Sequence, residues 1–132
     1  MITRALLATT LALLAPPHGH AARLRGDRVL GIGDQNASIF VDPRFRWLGV
    51  GQARLAVAWD VTSSPADFVS TAGWLLAARA AGVQPLVAFD RDWKHRHELP
   101  SVTDYARAVT TFMRDFPWVR QYQPWNEEDA GG

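Results

Sequence analysis

The 132-residue sequence contains no cysteine, which excludes thiol catalysis, disulfides and cysteine-ligated zinc. It also lacks an excess of either charge. Fourteen Lys and Arg against thirteen Asp and Glu leave a net charge of +1, so nothing points to nucleic acid or an anionic membrane as a partner. No stretch is of low complexity, and no internal repeat shows by residue identity. No apolar run reaches the ~20 residues needed to span a bilayer. The longest, Ala5 to Ala15, has 11 residues. It follows a short basic start, Met1-Ile2-Thr3-Arg4, and is ended by Pro16 and Pro17. A short basic start, an apolar core and then small residues make the pattern of a signal peptide, here with cleavage after Ala21 in Gly19-His20-Ala21. An N-terminal anchor is the alternative. The expectation is a secreted protein, extracellular or periplasmic, with residues 1–21 removed and no membrane association after processing. Only Arg4 is charged in that segment, so the net charge falls from +1 to 0.

What is present is an ordinary globular composition, 48% apolar. That suffices for one modest core and not for two domains. Six Trp are many for this length. They fit buried packing, or flat rings on which a ligand stacks.

Beyond residue 22 the chain reads as strands alternating with helices. Arg28 to Asp34, Ala53 to Trp59, Val83 to Phe89 and Val119 to Trp125 are short, largely apolar runs without strict alternation. Strands of a parallel sheet covered by helices have this pattern. Asn36 to Gly49 reads as a loop with one or two helical turns, opened by Asp42-Pro43. Ser64-Pro65-Ala66-Asp67 supplies an N-cap, a proline at the first helical position and an acid three residues after the cap. Phe68, Ala72, Leu75 and Leu76 follow at helical spacing, and Gly82 sits where a C-terminal cap belongs. Ser101-Val102-Thr103-Asp104 begins a second helix. Its stripe is Tyr105, Val109, Phe112, Met113 and Phe116, and Pro117 stops it. Both stripes are expected to be core; neither suggests a cofactor.

Strand–helix–strand units of this size serve both the open doubly wound sheet and the closed eight-stranded barrel. Periodicity does not choose between them. Gly31-Ile32-Gly33 is too short for a phosphate loop and lies within a strand. In either architecture chemistry collects at the C-terminal strand ends. These carry Asp34 and Gln35, Trp59 and Asp60, Phe89 and Asp90, then Trp125, Asn126, Glu127 and Glu128. An acid after a strand also commonly caps the next helix or forms a turn, and that stays open for Asp60 and Asp90.

The run Pro124-Trp125-Asn126-Glu127 is more specific. Trp-Asn-Glu at the end of a fourth strand resembles the acid/base motif of the clan A retaining glycoside hydrolases. Ala53-Arg54-Leu55-Ala56-Val57 is similar to the second strand of that group, where an Arg supports the catalytic carboxylates. The likeness spans roughly residues 28–129. It implies the first half, about four strands, of a (β/α)8 TIM barrel, and retaining hydrolysis of a β-linked glycoside. It implies Glu127 as acid/base, Asn126 as the contact to the sugar 2-hydroxyl, and Arg54 as the residue that orients the nucleophile or holds it ionised. Asp90 is a substrate-binding candidate, and Trp59 and Trp125 are sugar platforms or core.

The chemistry suits these residue types. A glycosidic oxygen is a poor leaving group, and a carboxylic acid protonates it near neutral pH only with a raised pKa. A retaining enzyme also needs a second carboxylate about 5 Å away. Two departures stand out. Glu128 and Asp129 follow Glu127 where the family has Pro or another small turn residue. The family's nucleophile lies on a seventh strand, whereas four strands are predicted here and a whole barrel takes about 250 residues. The expectation is therefore a fragment of a secreted glycosidase, inactive alone. The alternative is a small non-catalytic α/β module that binds carbohydrate or assembles, with self-association through its open sheet edge. His95 and His97 form a His-x-His pair, but Lys94 and Arg96 interleave with them and disfavour a cation. No metal and no cofactor are expected.

Overall fold

The computed structural model describes residues 29–92 and 98–126. The expected signal peptide lies outside them. Four strands form one all-parallel sheet in the order β1-β2-β3-β4: β1 is Gly31–Gly33, β2 Gln52–Ala58, β3 Gln84–Asp90 and β4 Gln121–Gln123. Between β1 and β2 lie a 3-10 turn, Ala37–Val41, and helix α1, Pro43–Leu48. A second 3-10 turn, Val61–Ser63, leads into α2, Pro65–Ala80, and α3 is Val102–Asp115. The chain is thus α/β, with each strand beside its predecessor and no reversal of order.

Local signals explain most of the boundaries. Asp42 caps α1 by accepting from the Arg44 backbone N–H at 2.7 Å. Hydrogen bonds from Arg44, side chain first and then backbone, hold its carboxyl down at about 2. Gly49 ends α1 with φ 63°, a left-handed conformation that suits glycine. Ser101 caps α3, its hydroxyl accepting from the Asp104 N–H at 3.1 Å. Ser64 stands at the N-cap of α2, but its side chain makes no capping bond. Gly82, with φ 73°, closes α2 as its sequence position suggests.

The two outer strands are shorter than the apolar runs. At the first, the Asp34 carboxylate accepts from the Asn36 N–H at 2.6 Å and turns the chain. At the last, Pro124 has no N–H for the ladder, so regular pairing stops at Gln123. It resumes once, where the Asn126 N–H donates to the Phe89 carbonyl at 2.7 Å.

The sheet has two unlike faces. Ala53, Leu55, Val57, Val87 and Phe89 form one core cluster with Trp74, Leu75 and Ala78 of α2, and with Phe112 and Phe116 around α3. Phe112 meets Phe89 edge-on at 5.4 Å, and Trp74 meets Phe40 edge-on at 4.8 Å. The helices therefore cover the same face. The opposite face carries Gln52, Arg54 and Ala56, then Leu86, Ala88 and Asp90, then Gln121 and Gln123. None of these belongs to the core cluster.

The helical stripes need correction in detail. Leu76 and Met113 are exposed, at 56% and 40%, whereas α2 buries Leu75 as expected and, beyond the predicted stripe, Thr71, Trp74 and Ala78. Among the described residues no helix is long and apolar enough to cross a membrane.

Candidate functional site

Residues from three neighbouring strands meet around Arg54. In the register Arg54 faces Leu86, while the next row toward the C-terminal ends is Ala56, Ala88 and Gln123. Ala56 and Ala88 carry only methyl groups. This leaves the Arg54 side chain room to reach across β3 to β4. Its Nε donates to Gln123 Oε1 at 3.2 Å, and its Nη2 donates to Asn126 Oδ1. Asn126 Nδ2 in turn donates to Asp90 Oδ2 at 2.7 Å. The other Asp90 oxygen accepts from the Arg91 backbone N–H at 2.7 Å.

The structure thus brings together three predicted site residues that are far apart in sequence. Asp90 and Asn126 are buried, each 7% exposed. Their partners give the Asn126 amide one orientation, with its oxygen toward the cation and its nitrogen toward the anion. Among the described residues the Arg54 guanidinium is held by two amide oxygens and by no carboxylate. A half-buried cation of this kind stabilises a negative group brought near it.

Asp90 is engaged on both oxygens, so it positions Asn126 rather than presenting itself to solvent. Trp125 is half-buried, its ring 6.0 Å from Tyr105. The Tyr105 hydroxyl donates to the Pro124 carbonyl and ties α3 to the segment that carries Asn126. Burial raises the Tyr105 phenol above its ordinary range, so it stays a protonated donor at neutral pH. Gln123 Nε2 donates to the Trp125 carbonyl at 3.0 Å, bracing the same segment.

Trp59 is half-buried against the core, and its backbone N–H donates to the Asp90 carbonyl at 2.8 Å. Beside it lies a cleft of about 420 Å³, bordered by the turn after β2, the start of α2 and the approach to α3. Glu127, Glu128 and Asp129 lie outside the described residues, as do His95 and His97. Among the described residues no group of three or more His, Cys, Asp or Glu could hold a metal ion.

Sequence reasoning missed Gln123, and it placed Gln35 at a strand end without a role. In the amide orientation that satisfies both of its polar atoms, Gln35 donates to the Ala56 carbonyl and accepts from the Ala56 N–H, both at 3.1 Å. It thereby extends the β1–β2 ladder beyond β1. A glutamine signals such a role only once the strand faces are known.

Removing the cation should expose the worth of the network. Arg54→Met leaves the Asn126 and Gln123 oxygens without their donor, and unsatisfied buried groups cost about 1–3 kcal/mol each. Urea denaturation should show a loss of about 2 kcal/mol. Arg54→Lys should recover only part of it, because an ammonium lacks the planar fork that serves two oxygens. A stability unchanged by Arg54→Met would mean that the network does not hold these strand ends.

Comparison with models of known protein families, with curated protein sequences and with solved structures finds no match to this chain.

Proposed function

We propose that this chain forms the acid/base side of a retaining β-glycosidase site, built on the first four strands of a (β/α)8 barrel. One observation carries the reading. Arg54 within β2, Asp90 at the end of β3 and Asn126 just past β4 are joined by hydrogen bonds, and Glu127 follows Asn126 directly. The winding supports the barrel: strands in sequential order with their helices on one face are what half of a singly wound cylinder requires. The opposite face, with its polar Gln52, Arg54, Gln121 and Gln123, then becomes the barrel interior.

In this reading Glu127 protonates the leaving oxygen and later deprotonates the attacking water. Asn126 is fixed by Arg54 and Asp90, and its remaining amide hydrogen serves the sugar 2-hydroxyl. Arg54 offers its charge to the nucleophilic carboxylate of a seventh strand and keeps it ionised. The substrate is a β-linked glycoside, and the secreted destination follows from the N-terminal pattern.

The stereochemical course tests the mechanism. Proton NMR of hydrolysis by the native gene product should show the β-anomer of the sugar first, mutarotating later. Initial release of the α-anomer would mean inversion and would reject the two-step mechanism.

A further inference from the structure

From the cleft beside β2 we infer a sugar-binding subsite that this chain forms by itself, next to the Arg54–Asn126–Asp90 network. The inference rests on the glycosidase reading for its ligand class but not for its geometry. The cleft, about 420 Å³, falls in the usual range of small-molecule pockets, ~300–1,000 Å³. Its lining is of two kinds. Trp59, Pro65 and Leu99 are among the apolar residues, while Ser63 and Ser64 carry hydroxyls and four acidic residues, Asp67 among them, carry carboxylates.

A sugar ring matches that mixture, because it has C–H faces and a rim of hydroxyls. An indole covers the face, and short polar side chains meet the rim. Trp59 is suited to be the platform. One side of it packs on the core, which fixes the ring, while the residue also borders the cleft. The Ser64 hydroxyl is not spent on capping α2. It is therefore available as a donor and an acceptor, as a sugar diol requires.

The position is also informative. Ala58, at the cleft wall, pairs in register with Asp90, and the Trp59 backbone N–H is bonded to the Asp90 carbonyl. A ring held here therefore lies beside the Asp90 end of the hydrogen-bonded network. The cleft would fix the sugar unit neighbouring the scissile bond.

The test is titration of the chain with β-1,4-linked gluco-, manno- and xylo-oligosaccharides, read by calorimetry and Trp fluorescence. At least one series should bind. Trp59→Ala should weaken that binding about tenfold or more, and Trp59→Phe, which keeps a flat ring, much less. Ser63 is exposed, so Ser63→Trp should fill the cleft and abolish binding while circular dichroism and melting stay unchanged. Binding that survives Ser63→Trp and Trp59→Ala, or no binding of any series to the folded chain, would overturn the subsite. The catalytic reading fails separately. Cleft-dependent binding together with unchanged turnover in Glu127→Gln would keep the subsite and discard Glu127.

Discussion

Phe112→Ala is expected to remove about 3–5 kcal/mol of stability. Phe112 has no exposed surface and joins three rings: Phe89 at 5.4 Å, Phe116 at 4.8 Å and Tyr122 at 6.4 Å. It is the side chain through which α3 reaches both β3 and β4. Truncation removes the transfer free energy of the ring and leaves a cavity that a rigid sheet cannot close. Small domains have only ~5–15 kcal/mol in total, so a loss of this size is a large share of it. The neighbouring Met113, 40% exposed, is the control. Met113→Ala should cost about 1 kcal/mol or less, as surface changes do. Urea unfolding of both variants decides the matter. Equal losses would mean that α3 does not dock through the face described.

The consequence reaches the site. α3 also carries Tyr105, whose hydroxyl is bonded to the Pro124 carbonyl two residues before Asn126. Loosening α3 therefore frees the segment that the proposed mechanism needs held still. Packing and chemistry share the same element here.

Much of this arrangement was legible in the sequence because its signals are local. Ser101 with Asp104, Asp42 with Pro43, and Gly82 each mark a boundary through bonds or backbone angles within a few residues. The four apolar runs fall within a few residues of the four strands. The misplaced side chains have a physical cause. In α2, alanines surround the larger residues, so spacing alone does not separate Leu76, which is exposed, from Leu75, which is fully buried. The tie from Arg54 to Asn126 spans 72 positions and depends on parallel register, which no local pattern encodes. Gln123 became visible only when β4 was placed two strands from β2, with small Ala88 between them. The choice between a doubly wound and a singly wound sheet likewise depends on strand order, and the order 1-2-3-4 is a property of the assembled sheet.

The measurement that bears most directly on the proposed chemistry is kcat/KM, which reports the bond-breaking step alone, for Glu127→Gln in the native gene product on two β-glycosides of one sugar. One has an alcohol leaving group that needs a proton. The other has an activated aryl group that departs without one. General acid catalysis contributes about 10²–10⁴-fold, so the variant should lose roughly that factor on the alkyl glycoside in its bond-breaking step and little on the aryl one. Equal losses on both substrates, or none on either, would contradict the assignment of Glu127 as the acid/base and with it the proposed function.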